Sequence, residues 1–141
     1  MKQELVSDWM TRNVITINTE TSLKEAHDTM NSKKIRRLPV VVQGKVVGIV
    51  TLGDIRGAEP SKASSLSVWE MNDLLAKLKV SEIMTHNPAT IQQTASIGEA
   101  AKFMLEKKFS SLPVVDEADH LVGIITESDI FRLVVSEWHK D

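Results

Sequence analysis

The chain has 141 residues, 42% hydrophobic and 26% charged, a one-domain length with enough apolar surface to bury a core and no compositional mark of disorder. Seventeen basic against 19 acidic residues argue against a nucleic-acid binder that depends on a broad positive face, and the absence of cysteine excludes disulfides, thiolate catalysis and cysteine-ligated metal. Met1-Lys2-Gln3-Glu4 lacks the apolar region of a secretory leader and no apolar run approaches the roughly 20 residues a bilayer span needs, so a cytoplasmic protein without a membrane anchor is expected.

In chain order, Val14-Ile15-Thr16-Ile17 is a brief β-rich stretch. Ser22 with Glu25 forms a capping-box pattern, and Leu23, Ala26 and Met30 follow at helical spacing. Two strands, Leu38 to Val42 and Val46 to Thr51, flank a tight Gln43-Gly44 turn and predict a hairpin. A helix then begins near Asp54. Gly57 to Ser65 reads as a polar linker. Ser67 with Glu70 caps a further helix whose apolar stripe is Val68, Met71, Leu74, Leu75 and Leu78.

From Val80 the pattern starts again. Val6-Ser7-Asp8-Trp9-Met10-Thr11 aligns with Val80-Ser81-Glu82-Ile83-Met84-Thr85, and Leu38-Pro39-Val40-Val41 with Leu112-Pro113-Val114-Val115. After one inserted residue in the second hairpin turn, Gly48-Ile49-Val50-Thr51 aligns with Gly123-Ile124-Ile125-Thr126 and Asp54-Ile55 with Asp129-Ile130. Each copy reads β-α-β-β-α. A unit of about 50 residues buries too little of its own surface, so two copies packed with pseudo-two-fold symmetry are expected, an α+β fold with two related clefts. The expected organisation is residues 1–57 as the first repeat, 58–79 as linker and connecting helix, and 80–138 as the second repeat.

The chemistry-bearing residues are few. No Gly-x-Ser-x-Gly elbow and no Gly-x-x-x-x-Gly-Lys phosphate loop occurs, and His27, His86, His120 and His139 have no zinc-site spacing. The reading is therefore of a protein that is not an enzyme and holds no metal. Met30, Met71 and Met104 are expected as core filler, and Trp9, Trp69 and Trp138 as packing residues. Thr51 with Asp54, and Thr126 with Asp129, fit capping boxes at strand-to-helix junctions. The same aspartates suit a second task, since one ionised carboxylate at a helix start accepts both hydroxyls of a vicinal diol. Lys33-Lys34-Ile35-Arg36-Arg37 is the densest charge cluster. Its lysines recur as Lys107 and Lys108 and fit a solvated helix end, whereas Ser110 and Ser111 replace the arginines.

The two copies of a hydrophobic strand, an amphipathic helix, a Leu-Pro-Val-Val strand and a Gly-hydrophobic-hydrophobic-Thr-x-x-Asp ending resemble a tandem pair of CBS domains, a Bateman module, from about Val6 to Val135. The connecting helix from Ser67 to Lys79 resembles that of stand-alone bacterial and archaeal CBS pairs of the acetoin-utilisation type. Some of those carry a C-terminal ACT domain, and none is expected after Asp141. The resemblance implies a regulatory sensor that binds AMP, ADP, ATP, NAD or S-adenosylmethionine in clefts between repeats and modulates a partner protein that the sequence does not identify. By the same resemblance Asp54 and Asp129 hold ribose, Arg36 and Arg37 hold phosphate, Thr51 and Thr126 offer hydroxyls beside the ligand, and Thr16 and Thr90 line the adenine pocket. Ser128 gives the second ending a hydroxyl where the first has Gly53. A homodimer, formed by apolar faces around Leu74, Leu78, Val134 and Trp138, is also expected.

Two other readings stay open. One is a structural dimerisation or interaction module with no physiological nucleotide. The other uses the two aspartates as general acid and base, which needs them to converge where two-fold packing tends to separate them. Nucleic-acid binding through the basic run has few aromatic platforms to support it.

Overall fold

The computed structural model of the protein describes residues 4–59 and 66–139; Pro60 to Ser65 of the expected linker lie outside them. The chain forms two compact units. One runs Ile15–Pro88, and the other joins the segment ending at Val14 to the segment beginning at Ala89. Each is a three-stranded sheet with helices.

In the unit Ile15–Pro88, helix α2 (Leu23–Lys33) leads into strands β1 (Arg37–Val42) and β2 (Lys45–Thr51), followed by helices α3 (Leu52–Ala58) and α4 (Val68–Lys77), a 3-10 turn Val80–Glu82, and strand β3 (Thr85–His86). The sheet order is β1-β2-β3, antiparallel throughout. Gln43 and Gly44 turn the hairpin with φ of 51° and 81°, the left-handed pair a two-residue type I′ turn requires. Ser22 caps α2 by accepting from the Glu25 N–H at 3.1 Å. Lys34 closes the helix at φ 56°, its N–H donating to the Met30 carbonyl, so the recurring lysines are indeed a helix terminus. The expected strand at Val14 to Ile17 shrinks to one parallel bridge, Ile17 to Val40. Leu23, Met30, Leu38, Val40, Val50, Ile55, Leu75, Val80 and Met84 are buried in the core.

The other unit contains α1 (Val6–Trp9), β4 (Ile91–Gln92), α5 (Ile97–Lys107), β5 (Ser111–Val115), β6 (Leu121–Thr126) and α6 (Glu127–Trp138). Here β4 runs parallel to β5, and β5 antiparallel to β6. Ser96 caps α5, and Lys108 ends it at φ 61°. Its buried core is Val6, Met10, Ile97, Ala100, Met104, Leu112, Val114 and Ile125.

The opening segment of each sequence copy packs on the hairpin of the other copy. Leu5 bridges Ser96, and Thr11 bridges Ile124; at the aligned positions Lys79 bridges Ser22 and Thr85 pairs with Ile49. The reason is a matched cavity. Gly48 and Gly123 have no side chain, and the thioethers of Met84 and Met10 fill the space: a Cβ on Gly48 would lie 2.4 Å from Met84 Sδ, and one on Gly123 2.6 Å from Met10 Sδ.

Of the α4 stripe, Leu75 is buried and Leu78 packs on the unit's core, while Val68 and Trp69 face solvent. Leu78 thus contributes part of its surface to its own unit's interior. On α6, Phe131, Val135 and Trp138 are exposed.

Candidate functional site

Both hairpins end in a threonine that becomes the N-cap of the next helix. In the first, the Asp54 N–H donates to Thr51 Oγ1 at 3.0 Å, and the Thr51 N–H donates to Asp54 Oδ2 at 2.9 Å. In the second, the Asp129 N–H donates to Thr126 Oγ1 at 3.3 Å, while the Thr126 N–H and Oγ1 donate to Asp129 Oδ2 at 2.8 and 3.0 Å. Both turns are complete capping boxes, so each aspartate satisfies orphan backbone donors. This leaves one oxygen, Oδ1, on each carboxylate.

The two Oδ1 atoms meet different surroundings. Among the described residues Asp54 Oδ1 has no hydrogen-bond partner, and Asp54 is half-buried. Asp129 is 1% exposed and its Oδ1 accepts from Arg132 Nη2, an ion pair between positions i and i+3 of α6. The position aligned with Arg132 is Gly57, whose missing Cβ would meet nothing within 4 Å. Gly57 and Arg132 lie two residues past Ile55 and Ile130, where the repeat pairs a glycine with an arginine.

The strand register separates the two arginines. Arg37 stands opposite Thr51, as Ser111 stands opposite Thr126, and directly paired residues of an antiparallel ladder share a face. Arg37 is therefore on the Thr51 side of the sheet. Arg36 precedes the strand, and its carbonyl accepts from the Leu52 N–H at 2.9 Å. Both side chains are exposed and neither makes an ion pair among the described residues. Thr16 and Thr90 are exposed, each one residue ahead of the bridging residues Ile17 and Ile91. Ser128 is exposed in the first turn of α6. The first unit thus brings Arg37, Thr51 and Asp54 together at one hairpin end; the second brings Ser111, Thr126, Asp129 and Arg132.

Between α5 and α6 lies a groove of about 480 Å³ lined by Met104, Leu105, Ile130 and Phe131, with Lys108 and Glu127 at its polar edge. No group of His, Asp or Glu able to hold a metal ion occurs among the described residues, nor is any helix long and apolar enough to cross a membrane.

A twice-repeated hairpin and helix with a Thr-x-x-Asp junction defines a class of paired small modules. A family model described as the CBS domain matches residues 6–61 and again 80–136, and the chain belongs to that family. A CBS domain-containing protein of Dictyostelium discoideum is 37% identical over 132 residues, covering 93% of this chain and 91% of that protein. The chain spans much less of other curated relatives, including 22% of an inosine-5'-monophosphate dehydrogenase from Korarchaeum cryptofilum that is 38% identical over 120 residues. Among solved structures, the CBS domain pair of protein MJ0100 in complex with 5'-methylthioadenosine and S-adenosyl-L-methionine has a TM-score of 0.76 and 31% identity, covering 96% of this chain and 99% of that one. CBSX2 in complex with AMP has a TM-score of 0.79 and 29% identity, covering 95% and 98%. A protein assigned to acetoin utilization from Vibrio cholerae has a TM-score of 0.80 and 30% identity, covering 98% and 95%. CBS pairs are regulatory modules, generally non-catalytic, and the dehydrogenase carries one as a part of its length.

Proposed function

We propose that the protein is a regulatory module that binds an adenosyl ligand at its Thr-x-x-Asp junctions and transmits occupancy to a partner protein. The observation that carries this reading is the Asp54 carboxylate, held at a helix start by its capping bonds with one oxygen unpartnered among the described residues. A ribose diol offers two hydroxyl donors to such a group. Arg37, on the same side as Thr51, supplies a free guanidinium for phosphate, with Arg36 next to it in sequence. The AMP complex of CBSX2 and the methylthioadenosine and S-adenosylmethionine complex of MJ0100 support adenosine as the common element of the ligand. Thr16, Thr90, Thr126, Ser128 and Asp129 are assigned to the same task by their place in the motif, and a cytoplasmic setting goes with that role.

Thermal shift with AMP, ADP, ATP, NAD and S-adenosylmethionine tests the proposal. A ligand at 100 times its dissociation constant stabilises by about 2.7 kcal/mol, and the double variant Asp54→Asn/Asp129→Asn abolishes the shift. No shift with any of the five refutes it.

A second reading, a homodimeric interaction module without nucleotide, draws on the exposed apolar residues Phe131, Val135 and Trp138 of α6. A contiguous apolar face of this kind favours closed two-fold association. Sedimentation giving the 15.7 kDa of one chain at micromolar concentration excludes it.

A further inference from the structure

The capping chemistry is the same at both junctions, yet only one carboxylate is open. We infer that Arg132 is a built-in latch on the second junction: it occupies the Asp129 oxygen that a ribose diol would need, so that neutral adenosine binds at Asp54 and is excluded at Asp129. The inference rests on the ribose reading of the two aspartates and adds which of them is available.

Four observations converge on it. Asp129 Oδ2 is filled by two donors from Thr126, and Oδ1 by the Arg132 guanidinium. Burial of Asp129 to 1% exposure leaves little of the carboxylate accessible to a further donor. At Asp54 the aligned latch position is Gly57, where a Cβ would meet nothing within 4 Å among the described residues. Finally, Arg132 is itself 60% exposed and lines an open groove of about 600 Å³ with Trp9, Ser128 and Ser136, so the guanidinium has room to leave.

A guanidinium–carboxylate hydrogen bond is charge-assisted and stronger than one from a neutral hydroxyl. A sugar diol therefore competes poorly for Asp129 while Arg132 is in place. Removing the arginine frees Oδ1, and placing one at position 57 closes Oδ1 of Asp54. The arrangement makes two junctions of one sequence motif unequal through a single residue one helical turn past each aspartate.

The experiment is calorimetric titration of adenosine at low salt into the full chain and four variants, each checked for folding by circular dichroism. The wild type is expected to bind one adenosine, and Asp54→Asn none. Arg132→Ala is expected to bind two, the added site vanishing in Arg132→Ala/Asp129→Asn. Gly57→Arg is expected to weaken binding at least tenfold; it also carries the test if Arg132→Ala lowers stability, since a Cβ at position 57 meets nothing within 4 Å among the described residues. Two equal sites in the wild type, or unchanged affinity in Gly57→Arg, overturn the latch while leaving the ribose reading intact. Binding that is indifferent to Asp54→Asn and, with Arg132→Ala present, to Asp129→Asn overturns the ribose reading and the latch with it.

Discussion

Gly123→Ala should be among the most damaging single-methyl additions to this fold. The new Cβ would lie 2.8 Å from the Thr11 carbonyl oxygen and 2.6 Å from Met10 Sδ, whereas carbon contacts settle at about 3.5–4.0 Å. Met10 can rotate; the Thr11 carbonyl cannot move freely, because it accepts from the Ile124 N–H at 2.9 Å while the Thr11 N–H donates to the Ile124 carbonyl at 2.8 Å. Overpacking typically costs about 1–3 kcal/mol, and weakening two backbone hydrogen bonds adds about 0.5–1.5 kcal/mol each. A loss of about 2–6 kcal/mol follows. Gly48→Ala is the internal control. Its Cβ would meet only side-chain atoms of Met84, at 2.4, 2.9 and 3.1 Å, and a thioether chain with three rotatable bonds gives way more easily. About 1–2 kcal/mol is expected there, relieved by Met84→Val, whereas Met10→Val does not relieve Gly123→Ala. Urea unfolding followed by circular dichroism measures the losses, and amide exchange at Thr11 and Ile124 reports the local opening. A Gly123→Ala protein within about 0.5 kcal/mol of the wild type, or one more stable than Gly48→Ala, refutes the reasoning.

Three further outcomes are expected. Asp129→Ala should cost about 1–3 kcal/mol in urea unfolding, because it leaves two Thr126 donors without their buried acceptor while the exposed Arg132 rehydrates, against about 1 kcal/mol for the capping loss at Asp54→Ala; a larger loss at Asp54→Ala would contradict the assigned difference. Leu38→Ala and Leu112→Ala, each removing a fully buried leucine from one unit's core, should cost about 2–5 kcal/mol apiece, read from the same urea curves. The Lys79 ammonium is raised above its usual 10.5 by its hydrogen bond to Glu20 and by the Glu20 charge; the pair's contribution is complete below pH 10.5 and is lost as pH climbs through the folded value, so NMR titration of Lys79 in Glu20→Gln should give a lower midpoint than in the wild type.

The elements that rest on local chemistry were readable in the sequence. Gln43-Gly44 demanded a left-handed turn, Ser22, Thr51, Ser67 and Thr126 marked helix starts, and all four cap helices. The capping function of Asp54 and Asp129 and their candidacy as diol acceptors were both legible, since one side chain has an oxygen for each. What the sequence did not disclose depends on partners distant in the chain. Val14 to Ile17 has β propensity, yet only Ile17 finds a neighbouring strand. Alignment of Val6 with Val80 showed that the two segments are equivalent, and equivalence carries no information about which hairpin each one covers. Neighbouring side chains at a strand point to opposite faces, so Arg36 and Arg37 are not equivalent, but only the register shows that Arg37 is the one opposite Thr51. Val68 kept helical spacing but is 74% exposed, because a stripe records periodicity and not the presence of something to pack on.

The crossed packing of the opening segments sets the order in which the protein can be made and the places where it can be cut. A fragment ending at Glu59 would lack Leu75, Val80 and Met84 from the interior of the unit Ile15–Pro88, and one beginning at Leu66 would lack Val6 and Met10 from the other. Neither piece could close its interior alone, whereas the two expressed together could complement each other. During synthesis the unit Ile15–Pro88 becomes complete first. Thr11 leaves the ribosome far ahead of Ile124, its hydrogen-bonding partner, and at about 5–20 residues per second waits roughly 5–20 s for it. Over that interval Val6 and Met10 are exposed apolar side chains on a tethered segment, and the unit that closes second is the one that holds these earlier-made residues.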